Sequence, residues 1–155
     1  MVEQTAEVGV FGHGYTYSGH PVACAVALKT MEIYQRDHIF AHAAKMGEYL
    51  HARLQEFKDH PLVGEVRGKG LLAAIELVAN KKTGKAFNSG AVGAFAVHSC
   101  QGHGLIVRAV AGSSLALCPP LIIDEQQVDE IIEKMRLALD ETLVFVMKKQ
   151  LLEAH

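Results

Sequence analysis

Two short glycine-bearing connections fix the topology open to this chain. Val63–Arg67 and Leu71–Val78 read as strands separated by Gly68-Lys69-Gly70. Leu105–Val110 and Leu115–Cys118 read as a second pair across Ala111-Gly112-Ser113-Ser114. A parallel crossover takes a dozen or more residues, so connections this short make each pair antiparallel. Helical patterns surround the pairs. Pro21 suits the first turn of a helix running to about Tyr34, whose Ala23, Cys24, Ala25, Val26, Ala27, Leu28, Met31 and Ile33 are apolar nearly all round. Such a helix must be covered on several sides or by another chain. Asp37 is placed to cap a second helix, in which Ile39, Ala43, Met46, Leu50, Leu54 and Phe57 keep one buried stripe until Pro61. Ser89 can cap a third helix to about Cys100, with Val92, Phe95 and Ala96 inward and Gly102 and Gly104 ending it. Asp124 with Gln127 opens the last helix as a capping box, followed by Val128, Ile131, Ile132, Met135, Leu139 and Leu143. Helix, helix, two strands, helix, two strands, helix is the order of an α+β layer.

Composition removes several functions. A chain of 155 residues buries roughly 68–70% of its unfolded surface, enough for a core. With 50% hydrophobic and 21% charged residues, wholesale disorder is excluded. Fifteen Lys and Arg against seventeen Asp and Glu leave a net charge of −2, which offers no basic face to nucleic acid or anionic lipid. Aromatics at 6% and the absence of Trp argue against base-stacking platforms. No apolar run approaches the roughly 20 residues that span a bilayer. Cys24, Cys100 and Cys118, odd in number and without a C-x-x-C pair or a signal sequence before them, read as reduced, mostly buried thiols of a cytoplasmic protein.

Two places can carry chemistry. The glycine-rich stretch Gly9–Gly19 places Tyr15, Thr16, Tyr17 and Ser18 just before a helix, where free N–H groups and the positive dipole end suit an anion. The competing reading is a plain cap, with Ser18 or Thr16 satisfying the first helical donors. His13 and His20 flank this loop as local hydrogen-bonding residues. Arg108 lies in the otherwise apolar Leu105-Ile106-Val107-Arg108-Ala109-Val110. Its planar fork suits a carboxylate, although an edge-strand arginine reaching to solvent fits the same pattern. His38 with His42, and His98 with Cys100 and His103, supply no completed metal-ligand set, so no metal is expected. Lys69, between two glycines, reads as solvated and not as a nucleophile.

Gly12-His13-Gly14-Tyr15-Thr16-Tyr17-Ser18-Gly19-His20-Pro21-Val22-Ala23-Cys24-Ala25 closely resembles a signature of class III aminotransferases, the ω-transaminase group. The likeness continues through Val66-Arg67-Gly68-Lys69-Gly70-Leu71 and Gly104-Leu105-Ile106-Val107-Arg108 to Pro119-Pro120-Leu121 and Val128-Asp129-Glu130. The resemblance implies a pyridoxal 5'-phosphate enzyme of fold type I. Residues 1–36 would be the trailing segment of its large domain and 37–155 its small α+β domain. It implies that Thr16 contacts the cofactor phosphate of a neighbouring subunit with Tyr15 beside it, and that Arg108 binds the carboxylate of an amino or keto acid. It also implies a homo-oligomer, a dimer. The family's Schiff-base lysine is expected in a segment preceding the signature, which leaves this chain with no catalytic residue of its own and weak or no cofactor binding. A non-catalytic dimerisation or interaction module derived from the same family is the alternative.

Overall fold

The computed structural model describes residues 14–152. The readings placed on Gly9, Gly12 and His13 lie outside the described residues. Two compact units divide between Asp37 and His38.

The first unit is built on α1 (Pro21–Arg36), opened by Pro21 as its first-turn position allows. None of its residues is buried. Asp37 was expected to cap the following helix and instead ends this one, its N–H donating to the Ile33 carbonyl at 2.9 Å. Its carboxylate is already engaged by the Arg36 guanidinium, at 2.6 and 2.8 Å, so it has no reason to turn towards the next helix.

The second unit opens with α2 (Ile39–Leu54), entered through His38 in the left-handed region at φ 51° and continued by a 3-10 turn at Gln55–Asp59. Then come β1 (Val63–Lys69), β2 (Leu72–Asn80) and a short β3 (Lys85–Ala86). After α3 (Ala91–Gly102) follow β4 (Arg108–Val110), β5 (Ser114–Leu117) and α4 (Glu125–Lys148). The two expected hairpins join into one antiparallel sheet in the order β1-β2-β5-β4, with β3 on the far end of β2. Period-two alternation gives the sheet one buried face, where Ala73, Ile75 and Leu77 of β2 meet Leu115 and Leu117 of β5. Met46, Leu50 and Leu54 of α2, Val92 and Ala96 of α3 and Val128, Ile132, Met135 and Leu139 of α4 complete this core.

Some boundaries moved for local reasons. Gly90, not Ser89, is the N-cap of α3, and the Ser89 hydroxyl stands a marginal 3.5 Å from the Ala91 N–H. Phe95 is half-buried and stacks on Phe145 of α4 at 4.2 Å. Leu105 and Val107 are buried and Ile106 exposed, as a strand would have them, yet ladder pairing starts only at Arg108. The chain there is still leaving α3 through Gly104 at φ 74°, with the Leu105 N–H on the Cys100 carbonyl at 2.8 Å. Asp124 and Gln127 form the expected capping box, Asp124 accepting from the Gln127 N–H at 2.8 Å and Gln127 from the Asp124 N–H at 3.2 Å.

Candidate functional site

The glycine loop resolves into a tight turn. The Ser18 N–H donates to the Tyr15 carbonyl at 2.9 Å, and the Ser18 hydroxyl accepts from the Tyr15 N–H at 2.9 Å. Gly19 at φ 76° then turns the backbone into the His20 N-cap, a left-handed step that glycine makes without strain. Ser18 is therefore spent upstream, and no side chain caps α1. This overturns the plain-cap reading: the first-turn donors of α1 are left to solvent or to a ligand. Tyr15, Thr16 and Tyr17 are all exposed beside that opening, Tyr15 by 75%. The chemistry of this end, hydroxyls and unspent N–H groups at a positive dipole terminus, fits a phosphate. Its sequence neighbour His20 supplies only backbone to the cap.

In the second unit the register collects the charged residues on the face of the sheet away from the core. Arg67 of β1 pairs with Ala74 of β2, Ala74 with Ala116 of β5, and Ala116 with Arg108 of β4. Direct partners in antiparallel strands share a face, so the two arginines end one row whose floor is two alanines. The next row runs Glu65, Glu76, Ser114, Val110. Arg67 donates to Glu65 at 2.9 Å, to Glu76, and to the Ser114 hydroxyl at 3.3 Å, reaching across β2 to β5. Its hydrogen bond to Glu76, above all, makes its guanidinium hold its proton even more firmly than arginine ordinarily does. Arg108 is exposed, and its guanidinium has no hydrogen-bond or ion-pair partner among the described residues. An unengaged arginine over a small-residue floor can take a planar carboxylate in two parallel hydrogen bonds.

The remaining candidates are spent elsewhere. His42 Nε2 lies 2.7 Å from the Ile123 carbonyl, and His103 Nε2 lies 3.0 Å from Glu141, which also accepts from the Ser99 hydroxyl. Those two donors hold the Glu141 carboxyl below its ordinary range, the Ser99 hydroxyl contributing most. No group of three metal-ligating side chains occurs among the described residues. Lys69 is exposed at the end of β1. A groove of about 600 Å³ opens between Ile106, Cys118, Pro120, Ile122 and the helix α4, but its lysine, Lys134, is already paired with Glu130. Burial of the thiols was overestimated: Cys100 alone is buried, whereas Cys24 and Cys118 are exposed, because α1 has no cover and Cys118 lies past the end of β5. Arg67, Glu65, Glu76 and Ser114 went unnoticed as a set. Alternating Glu65, Arg67 and Lys69 shows that they share a face, but only the register brings Glu76 and Ser114 to them.

The family model for class III aminotransferase matches residues 2–139. The putrescine–pyruvate aminotransferase of Pseudomonas aeruginosa is 47% identical over 148 residues, which are 95% of this chain and 32% of that protein. A chloroplastic gamma aminobutyrate transaminase 3 of Solanum lycopersicum is 40% identical over 92% of this chain and 27% of its own length. Among solved structures, the omega transaminase from Pseudomonas jessenii in complex with PMP superposes with a TM-score of 0.81 at 46% identity, covering 94% of this chain and 32% of that one. A transaminase with L-Ala gives 0.81 at 44% identity, covering 94% and 34%. The chain thus spans about a third of the length of the relatives it matches. The match takes in the turn before α1, the β1–β2 hairpin and the Arg108 strand together, and the chain belongs to the class III aminotransferases, enzymes that work with pyridoxal 5'-phosphate.

Proposed function

We propose that this chain is the C-terminal portion of an aminotransferase that moves an amino group between an amine or amino acid and a keto acid or aldehyde, and that Arg108 binds the carboxylate of the acid. The observation that carries the second point is the exposed, unpartnered guanidinium at the end of the Arg67–Ala74–Ala116–Arg108 row. Thr16, with Tyr15 beside it, would hold the cofactor phosphate at the uncapped start of α1. Bound there, the cofactor would supply the electron sink, while these residues position it and select the substrate. The division into a trailing large-domain segment, 1–36, and a small domain, 37–155, belongs to the same reading.

On this reading the 155 residues lack the Schiff-base lysine and bind the cofactor weakly or not at all when alone. Purified chain mixed with pyridoxal 5'-phosphate, an amine donor and a keto acid is expected to show no multiple-turnover transamination; sustained turnover would overturn the point. Arg108 is tested in a chimera in which this chain replaces the corresponding third of the Pseudomonas aeruginosa relative. Arg108→Ala should raise KM for a keto acid about tenfold or more, the loss of a charge-assisted hydrogen-bonded pair, and leave an uncharged aldehyde acceptor nearly unaffected. Equal effects on both acceptors would remove Arg108 from carboxylate recognition.

The apolar exposure of α1, with Val26 61% and Leu28 60% accessible, supports a homo-oligomer, in our reading a dimer, that covers it. It equally favours the alternative of a non-catalytic interaction module, and a stable complex with a full-length transaminase would decide for that. No helix among the described residues is long and apolar enough to cross a membrane. We place the protein in the cytoplasm, where its three unpaired thiols stay reduced.

A further inference from the structure

Among the described residues, the outer face of the sheet holds one unpaired guanidinium, Arg108, and two carboxylates that are not free, Glu76 two strands away and Glu65 three. Glu76 sits on β2 in the row beside that of Arg108, with β5 between them. Two strand spacings and one two-residue step put their Cα atoms about 12 Å apart, a gap that extended glutamate and arginine side chains can bridge. The floor between them, Ala74, Ala116 and Ser114, is too small to obstruct the approach. A carboxylate and a guanidinium within reach on one exposed face can pair at a modest gain. Here they do not. The reason is Arg67, which occupies Glu76 and Glu65 together and lays its own cation over β2, anchored on the Ser114 hydroxyl. The charged groups on this face are thus Glu65, Arg67, Lys69, Glu76 and Arg108, and Lys69 lies at the distal end of β1 opposite Leu72.

We propose that Arg67 is a positioning residue for Arg108: by holding Glu76 it keeps that carboxylate from capturing the Arg108 guanidinium, which stays available to an anionic substrate. The last step rests on the reading of Arg108 as the carboxylate-binding residue. Without the Arg67 cation, Glu65 and Glu76 would stand unpaired side by side in cross-strand register, a repulsive arrangement. Among the described residues, the Arg108 guanidinium is the unpaired cation nearest to Glu76 on this face, and it would relieve that repulsion. The device sets substrate preference through competition: a tighter hold of Glu76 on Arg108 penalises carboxylate substrates and leaves uncharged amines and aldehydes untouched.

The test reads the Arg108 side-chain Nε–Hε resonance of the full chain by nitrogen-15 NMR, assigned through Arg108→Lys. In Arg67→Met the Hε exchange should slow about threefold, the occupancy an exposed ion pair supports, and the resonance should shift. It should return to its original position in Arg67→Met/Glu76→Gln, and Arg67→Lys should behave as the unaltered chain. Backbone amide spectra that superpose show that the variants fold, and Arg67→Gln repeats the test if the methionine variant does not. An Arg108 signal indifferent to Arg67→Met, or a shift that survives Glu76→Gln, would overturn the proposal. Pyruvate, with its methyl ester as the uncharged control, separates the two readings. The acid should move the Arg108 resonance in the unaltered chain and need several-fold higher concentration in Arg67→Met. If it moves that resonance in no variant, the carboxylate role of Arg108 fails while capture by Glu76 remains independently visible.

Discussion

Cys100 and Cys118 carry the same thiol and differ only in surroundings. Cys100 is buried in the α3 face of the core, and that burial pushes its pKa up to about 11. The thiolate is the reactive form, so iodoacetamide at pH 8 should label Cys118 within minutes and Cys100 only after denaturation, as peptide mass spectrometry would read directly. Rapid labelling of Cys100 in the native chain would contradict its place in the core. His60 makes a pH prediction. Burial, more than anything else, lowers the proton affinity of its imidazole, against the opposing pull of Asp140, whose Oδ1 lies 3.5 Å from Nε2 without hydrogen-bond geometry. The unfolded chain protonates this histidine near pH 6.5 and the folded chain only at lower pH. Its contribution is therefore whole above about pH 6.5 and lost as the pH falls through the folded value. His60→Asn, whose amide oxygen can replace the Nδ1 that accepts from the Leu62 N–H at 3.2 Å, should flatten the fall in urea midpoint between pH 7 and 5. An unchanged slope would assign that fall to other groups.

Elements are held together where side chains are missing as much as where they are large. A Cβ on Gly47 of α2 would lie 2.6 Å from the Gly70 backbone at the β1–β2 turn. Alanine gains about 1 kcal/mol of helix propensity, yet overpacking against backbone costs about 1–3 kcal/mol, so Gly47→Ala should lower the urea midpoint. Gly102, in the last turn of α3 with nothing within 4 Å, has no such neighbour. Gly102→Ala should raise stability by up to about 1 kcal/mol. The sequence reads Gly102 as helix-ending, and what separates the two glycines lies in a hairpin packed from elsewhere. Helix stripes, the Gly68–Gly70 turn and the Asp124 capping box were legible because their causes span only a few residues. The Asp37 cap was misjudged since Arg36, its immediate neighbour, competes for the same carboxylate.

For the whole molecule, the exposed helix α1 is the feature with the largest consequence. Val22, Val26, Leu28 and Met31 are all more than half accessible, on a helix with no buried residue. Sedimentation velocity should show concentration-dependent association, and Val26→Glu with Leu28→Glu should shift the chain towards monomer without unfolding the second unit, which has its own core. A single monomeric boundary at all concentrations would count against the dimer. The relatives matched are about three times as long as this chain. Recognition of the family came from several weak motifs in one order and spacing, which a linear reading captures well.

What the sequence determined by itself is the main helices and strands, their antiparallel pairing, the family, and the interest of Thr16 and Arg108. Those follow from backbone periodicity, turn length and motif spacing, none of which needs a third dimension. The tertiary structure alone decided two things. It joined two hairpins into one sheet by seating β5 between β2 and β4. It also laid Arg67, Ala74, Ala116 and Arg108 in a single row, with Glu76 occupied and Arg108 free. The physical reason is register: side chains some forty residues apart share a face only once hydrogen-bonded strands fix which residue stands opposite which.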